Sequence, residues 1–464
     1  MKQLSLILFN LVLLHVAFSQ NATTLFTEEA FIQIVRDFHP VAKQAKIVVQ
    51  KAEAELLAAK GNFDPTVQAD LSRKTFDKKN YYNYWNPEVK VPTWFGTDMK
   101  AGLESNGGLF VNDEFTVGNS SYLGIEMPLL RNLLMDKRRA AVKQANIFRS
   151  QSEQERLIIL NDLLFDAYVS YYQWAGTFQL LNIYNRFIKI STDRLRLVRI
   201  AWQNGDRSVM DTVEAWTQLQ SFRIRQTEAQ MKLTTARLDL STYLWVNEDT
   251  AYLMPETFYP DTTAFAGYTD LQPLENYISR ALNESPAIRT YTFKLDALEV
   301  ERKLKQQSLL PYLNLKYNLL NQDYFVLKDF GNNLLQNNYK WGIDFKVPIF
   351  LREGRGDYRK AKLKIQETNY AFDNKKWQVI TKTRNYYNET LQYQNQLQQN
   401  ENLLRGFSTL LRNEELRFTY GESSMFLVNS RENKVMETAE KMTELRIKYF
   451  KSKYAIQWAA GLLR

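Results

Sequence analysis

Two long proline-free segments limit what this chain can fold into. Residues 131–203 and 352–419 cover 73 and 68 residues without a proline. As α-helices they would be roughly 100–110 Å long, far beyond a helix of an ordinary globular domain. Shorter helical segments precede and follow each of them, and their summed lengths nearly equal one long helix. The sequence therefore predicts a tall bundle of helices.

Apolar residues that repeat every seven positions predict coiled-coil packing of these helices. One set is Val428, Val435, Met442, Tyr449 and Ile456, and the other is Ala215, Phe222, Ala229, Ala236 and Tyr243.

The two halves of the chain carry the same marks in the same order, which predicts a tandem duplication. The paired marks are Pro40 and Pro65 with Pro286 and Pro311, Pro128 with Pro348, and Gly205-x-x-Ser208 with Gly421-x-x-Ser424. The predicted first repeat is 20–245, with helix 27–61, strands at about 65–75 and 121–128, long helix 131–203 and helix 206–245. A linker at 246–272 follows. The predicted second repeat is 273–464, with helix 273–309, strands at about 311–320 and 338–348, long helix 352–419 and helix 423–463.

The predicted strands alternate between apolar and polar residues. Trp341, Ile343 and Phe345 alternate with charged residues such as Lys340 and Asp344. Strict alternation gives a strand one apolar and one polar face. Such a strand fits a barrel with lipid outside and water inside, in which Trp341, Ile343 and Phe345 would face lipid, or a soluble sheet packed on a core. The strands alone do not decide between these two folds.

The N-terminus predicts export from the cytoplasm. Residues 1–19 combine a short positive start, an apolar run and a small-residue cleavage site, as in a secretory signal peptide. No later apolar run is long enough for a transmembrane helix. The chain has no cysteine and only two histidines, His15 and His39, so thiol chemistry is excluded and little histidine chemistry is available. No catalytic, nucleotide-binding or metal-binding motif is found, so we expect no enzyme activity, cofactor or metal. The net charge of +9, spread over the chain, does not indicate nucleic acid as a partner.

The duplicated order of helix, proline-bounded strands and Gly-x-x-Ser turns resembles the TolC-like outer-membrane factor family, over about residues 26–463. The resemblance implies an α+β membrane protein that forms a homotrimer. Each chain would give four β-strands to a shared 12-stranded transmembrane β-barrel and its helices to a long periplasmic coiled-coil barrel. The implied location is the bacterial outer membrane, with a large periplasmic portion. The prolines at the strand ends, Pro65, Pro128, Pro311 and Pro348, carry the resemblance, and the linker 246–272 would form an equatorial belt.

The resemblance also implies a gate at the periplasmic helix turns Gly205 and Gly421. Some members of the family close with acidic residues six and nine positions after the turn glycine. Here the first half has Asp211 and Glu214 at those positions, whereas the second half has Leu427 and Ser430. An apolar gate would use Met425, Phe426 and Leu427, although these three residues could instead pack the start of the helix.

The implied function is an exit duct for tripartite efflux or type I secretion. Its partners would be a periplasmic adaptor (membrane fusion) protein, an inner-membrane transporter and outer-membrane lipid. The alternative is a periplasmic coiled-coil adaptor or scaffold, which would lack four strands of bilayer length. The first half departs from the family by a long hairpin at residues 75–129. The hairpin contains a further alternating run, Met99, Ala101 and Leu103, which is either a strand extension or an outer loop packed across the pore mouth.

Overall fold

A computed structural model describes residues 24–246, 250–267, 271–324 and 338–464. The predicted signal peptide, residues 1–19, lies outside the described residues. The first half contains these elements: β1 (Thr24–Phe26), α1 (Glu28–Phe38), α2 (Pro40–Lys60), β2 (Thr66–Phe76), β3 (Lys79–Pro92), β4 (Asp98–Gly107), β5 (Gly118–Pro128), α3 (Lys137–Gln203) and α4 (Val209–Ser241). The rest contains β6 (Trp245–Val246), β7 (Thr250–Ala251), β8 (Phe258–Pro260), α5 (Thr262–Ala266), α6 (Leu274–Glu284), α7 (Pro286–Gln307), β9 (Tyr312–Gln322), β10 (Tyr339–Lys346), α8 (Arg352–Thr419) and α9 (Met425–Ala460).

The chain forms two compact units, and each unit contains parts of both predicted repeats. The helical unit consists of the described residues within 24–46, 156–286 and 376–464. The sheet unit consists of residues 47–155 and 287–375. The spatial division therefore differs from the predicted division into repeats, because the long helices α3 and α8 each contribute residues to both units.

The sheet unit contains six antiparallel strands in the order β10-β9-β5-β4-β3-β2. The predicted number of four strands per chain is therefore wrong. The four predicted strands are present as β2, β5, β9 and β10. The two additional strands, β3 and β4, come from the long hairpin at residues 75–129, and they lie inside the sheet between β2 and β5.

Two predicted helices are broken at a proline. The segment 27–61 forms α1 and α2, separated at His39, and the segment 273–309 forms α6 and α7, separated at Ser285. Both separating residues have extended backbone angles, with ψ of 134° and 120°. A proline disfavours the helical conformation of the residue before it and lacks the N–H that would continue the helix. The breaks follow directly from Pro40 and Pro286.

The long helices are continuous and pack through the predicted heptad positions. Helix α8 covers 68 residues and α3 covers 67, so each is roughly 100 Å long. The heptad residues of α9, from Val428 to Ile456, are all buried, as are the four from Ala215 to Ala236 on α4. Burial of one residue per two turns places a continuous apolar seam along each helix. None of the helices in the described part of the chain is apolar enough over a sufficient length to cross a membrane.

The described part of the linker 246–272 helps to form the core of the helical unit. Strand β8 of this linker pairs in parallel with β1, and Thr24 lies opposite Phe258. Phe265 of α5 is 1% exposed and stacks on Phe450 with ring centroids 5.7 Å apart. The surrounding core also contains Trp174 and Tyr449. The linker is therefore anchored by aromatic packing.

Candidate functional site

One face of the six-stranded sheet is apolar and exposed. On β10, the predicted lipid-facing residues Trp341, Ile343 and Phe345 have exposed fractions of 61%, 52% and 64%. They lie opposite Tyr317, Leu315 and Leu313 of β9 in the antiparallel register. The same face continues across the sheet through Ile125 and Met127 of β5, Met99 and Ala101 of β4, Val89 and Val91 of β3, and Val67 and Leu71 of β2. An exposed apolar surface of this extent marks a contact with lipid or with another protein.

The opposite face of the sheet is polar and carries ion pairs between neighbouring strands. Lys90 of β3 lies 2.9 Å from Asp98 of β4, and Lys100 of β4 lies 2.6 Å from Glu126 of β5. Lys316 of β9 lies 2.7 Å from Asp344 of β10. The amide of Asn314 connects β9 to β5 by donating a 2.7 Å hydrogen bond to Glu126. Single exposed pairs of this kind stabilise little, but together they make this face suited to water.

The four predicted strand-end prolines all lie at the boundaries of strands. Pro65 immediately precedes β2, and Pro311 immediately precedes β9. Pro128 is the last residue of β5, and Pro348 follows β10 by two residues. A proline lacks the N–H that a strand donates to its neighbour, so it is tolerated where a strand begins or ends.

Both Gly-x-x-Ser turns join two antiparallel helices by the same backbone arrangement. Gly205 and Gly421 have positive φ angles of 83° and 80°. The N–H of each glycine donates to the carbonyl three residues earlier, which belongs to Trp202 in the first turn and to Phe418 in the second. The N–H of the residue after each glycine donates to the carbonyl five residues before itself, which belongs to Ala201 in the first turn and to Arg417 in the second. This is the Schellman arrangement that ends a helix with a left-handed residue.

The serine of each turn begins the following helix. The hydroxyl of Ser208 accepts a hydrogen bond from the N–H of Asp211 at 3.2 Å, and that of Ser424 accepts one from the N–H of Leu427 at 3.4 Å. The Asp211 carboxylate in turn accepts from the N–H of Ser208, which completes a capping box. Asp211 and Leu427 thus occupy equivalent positions, and Asp211 has a structural role that Leu427 lacks.

The predicted gate residues differ in exposure within the chain. Met425 is 0% exposed and packs with Val198, Ala215 and Val428. Phe426 and Leu427 are exposed at 66% and 40%. Glu214 is half-buried, and its backbone carbonyl accepts a 3.4 Å hydrogen bond from the side chain of Asn429. Met425 therefore holds the helices together, whereas Phe426 and Leu427 remain available for contacts beyond the chain.

The sequence of the second half matches a known family. The sequence model of the family "Outer membrane efflux protein" matches residues 277–432, from α6 to the first turns of α9. This part of the chain is similar in sequence to the outer membrane efflux protein family. The predicted resemblance to the TolC-like outer-membrane factors is confirmed. None of the curated proteins matches the chain in sequence.

Solved structures extend the match to nearly the whole chain. The open-state MtrE outer membrane channel of Neisseria gonorrhoeae is similar over 94% of this chain and 89% of its own, with 14% identity and a TM-score of 0.66. The CmeC outer membrane channel of Campylobacter jejuni is similar over 96% of this chain and 90% of its own, with 13% identity and a TM-score of 0.63. The outer membrane protein VceC of Vibrio cholerae covers 93% and 95%, with 13% identity and a TM-score of 0.63. At these identities the similarity establishes the fold, and the predicted combination of long helices with β-strands, as in outer-membrane channels, is confirmed.

The family match supports both a cellular location and a class of function. The predicted location, the outer membrane with a large periplasmic portion, is confirmed at the level of the family. An efflux duct in that membrane is the function that the family and the fold support. Within the described ranges, no group of three or more acidic, histidine or cysteine side chains could hold a metal ion.

A buried ion pair between two helices of this fold was not predicted from the sequence. Arg194 of α3 donates hydrogen bonds to Glu432 of α9 at 2.8 Å and to Glu415 of α8 at 2.6 Å. Glu432 is 0% exposed. Burial raises the pKa of its carboxyl group, although the Arg194 guanidinium opposes this effect. The sequence signal was an acidic residue four positions after Val428, inside the apolar seam of α9.

A second arginine, Arg207, lines an open cleft near the two turns. The cleft has a volume of about 860 Å³ and includes Arg194, Arg207, Glu415 and Phe418 in its lining. The Arg207 guanidinium lies over the Phe418 ring, 4.1 Å from its centroid, and donates a hydrogen bond to the Phe418 carbonyl. Arg207 therefore ties the first turn to the end of α8, where the second turn begins.

Proposed function

We propose that the chain is the outer-membrane exit duct of a tripartite efflux or type I secretion system. Three copies would form a passive channel through the outer membrane and the periplasm. A periplasmic adaptor protein would hold the channel open, and an inner-membrane transporter would supply the energy. The sheet carries this proposal: one face is exposed and apolar, and the other is polar and ion-paired between strands.

The two faces favour a duct over the alternative function, a periplasmic adaptor or scaffold. A soluble adaptor would need to cover Trp341, Ile343 and Phe345, whereas a membrane covers them with lipid. Beta-strand proteins that span a membrane direct apolar side chains to lipid and polar ones to a water-filled lumen. The similar structures include two outer membrane channels, CmeC and MtrE, which supports this assignment.

The proposed gate lies at the turns that contain Gly205 and Gly421. Phe426 and Leu427 follow the second turn and are exposed, so threefold symmetry could bring their copies together. An apolar ring closes a pore by excluding water from it. Asp211 is a weaker candidate because its carboxylate is already engaged in the capping box.

Membrane fractionation, mass and conductance test the proposal together. The protein should be found in the outer-membrane fraction and should require detergent for extraction. In mild detergent its mass should be that of three chains, and it should conduct ions in planar bilayers. A protein that remains soluble as a monomer without detergent would contradict the duct and favour the scaffold.

A further inference from the structure

The sheet has two free edges, formed by β2 and β10. Each pairs with one neighbour, β3 and β9 respectively, and has no second partner in the described residues. Both strands are largely exposed. An unpaired edge presents a row of N–H and C=O groups that readily pairs with another strand. In a membrane every such group must be bonded within the protein, which requires the sheet to close.

The two edges are complementary in direction. Each neighbouring pair in the sheet is antiparallel, and the sheet has six strands, so β2 and β10 run in opposite directions. The β10 strand of one copy can therefore continue the antiparallel pattern beside β2 of the next copy. An odd number of strands would instead place two parallel strands at each junction.

The two edges are also complementary in their faces. Val67 and Leu71 on β2 share the apolar face with Trp341, Ile343 and Phe345 on β10, as the register across the sheet requires. Joining copies edge to edge therefore gives one apolar face and one polar face around a complete ring.

We propose that three copies close into a barrel of eighteen strands, six from each chain, in place of the twelve implied by the family resemblance. This inference rests on the trimer of the proposed function. The hairpin β3–β4 supplies the additional strands from inside the sheet. Barrel diameter increases with strand number, and barrels of about 16–18 strands leave an open aqueous channel. The barrel would therefore be wide enough for large or hydrated cargo.

Engineered cysteine pairs can test the strand order, because the chain has no native cysteine. Val67→Cys with Val89→Cys joins residues that lie opposite each other on β2 and β3. We expect this pair to form a disulfide within one chain. Ala69→Cys on β2, combined in turn with Trp341→Cys, Ile343→Cys or Phe345→Cys on β10, should give covalent dimers and trimers on denaturing gels in at least one combination.

A twelve-stranded barrel predicts a different result. There β3 and β4 would lie outside the wall, and β2 would pair with β5 of the same chain. Val67→Cys would then cross-link to Leu123→Cys, which lies at the same level of the sheet, and fail to cross-link to Val89→Cys. This result in a protein whose mass is three chains would overturn the eighteen-stranded barrel alone. A mass other than three chains would overturn the proposed function itself.

A different observation concerns the loop between β4 and β5, residues 108–117. Its contacts lie on the polar face of three strands. The N–H of Asn112 donates to the Tyr84 hydroxyl of β3 at 3.0 Å, and the Asn106 side chain of β4 donates to the Thr116 carbonyl at 3.1 Å. Lys340 of β10 donates to the Glu114 carbonyl at 3.1 Å.

These contacts extend the loop across most of the sheet. Strands β3 and β10 are separated by β4, β5 and β9, so four strand spacings lie between them, about 19 Å in all. The ring of Phe115 packs on Tyr84, with centroids 4.9 Å apart. We infer that this loop narrows the lumen. Asp113 and Glu114 are exposed at its tip and would make the narrowed region selective for cations.

Reversal potentials in a salt gradient test this second inference. The double variant Asp113→Asn/Glu114→Gln should lose most of the cation selectivity, whereas Asp77→Asn, an exposed acid in the turn between β2 and β3, should leave it unchanged. Lys340→Met removes a loop contact and should raise the single-channel conductance. If the double variant and the Asp77→Asn control have the same reversal potential as the unmodified channel, the loop does not line the conducting path.

Discussion

The Glu432 carboxylate accepts a 2.8 Å hydrogen bond from the Arg194 guanidinium and is fully buried between the helices. One carboxylate oxygen of Glu432 is bonded to Arg194, while the other, Oε1, is buried without a hydrogen-bond partner. Removal of one partner from a buried pair leaves an uncompensated charge, which is costly in a medium of low polarity.

Substitution of Arg194 by methionine should therefore strongly destabilise the helical unit. Loss of one partner of a buried ion pair typically costs about 3–5 kcal/mol. The matched control is Arg196→Met on the same helix, since Arg196 is 71% exposed and its 3.5 Å pair with Asp193 lies at the surface. Thermal unfolding followed by helical circular dichroism would measure both variants. Similar melting temperatures for the two variants would contradict a special role for the buried pair.

The variant Glu432→Gln should change the pH dependence of stability. Burial raises the pKa of Glu432 above its ordinary value of 4.5, with Arg194 opposing the shift. The folded state therefore binds this proton more tightly than the unfolded state does. The resulting stabilisation is present below pH 4.5 and is lost as the pH rises through the folded-state pKa. As the pH rises through the folded-state pKa of Glu432, the melting temperature of the unmodified protein should fall relative to that of Glu432→Gln. A difference independent of pH would mean that folding does not shift the pKa of Glu432.

The variant Leu427→Ala tests an apolar gate at the second turn. If copies of Leu427 meet in the closed channel, removing the side chain should widen the constriction and raise the closed-state conductance in planar bilayers. Met425→Ala is the contrasting variant, because Met425 is a buried packing residue and its loss should cost about 2–5 kcal/mol of stability. Unchanged conductance in Leu427→Ala, with pH-dependent conductance that disappears in Asp211→Asn, would instead indicate an acidic gate.

The facing of β10 can be tested with arginine. Ile343→Arg places a charge on the apolar face, which costs about 2–4 kcal/mol at the middle of a bilayer, whereas a charge on the lumen side costs less. Asp344→Arg is the matched variant at the next position. The yield of heat-resistant trimer in outer membranes should fall much more for Ile343→Arg. Equal yields would show that the apolar face of this strand does not meet lipid.

The helices and four strands were predictable because their apolar residues recur at regular intervals. Strand β3 was missed because its apolar residues do not. In β3, Tyr81, Tyr82, Tyr84 and Trp85 place aromatic rings on both faces, so the alternation is lost. Pro87 also argues against a strand, yet it lies within β3 opposite Ala69. Strand β4 retains its alternation through Met99, Ala101 and Leu103, and that run was visible in the sequence.

The candidate site was predictable only where local geometry determines it. The turn glycines and the strand-end prolines follow from backbone constraints that act within a few residues. The pairing of Arg194 with Glu432 joins residues separated by more than two hundred positions, and no local rule specifies it. The burial of Met425 beside an exposed Phe426 depends on how the helices are rotated against each other.

Both helix turns satisfy their own backbone hydrogen bonds, and nothing lies within 4 Å of where a Cβ would stand on Gly205 or Gly421. Such turns need no support from neighbouring chains to keep their shape. The tip of a helical hairpin could therefore move as a rigid body, without local unfolding of its turn. The work of opening would then consist of separating side chains between helices, and a partner protein that offers alternative side-chain contacts could perform it without remodelling either turn.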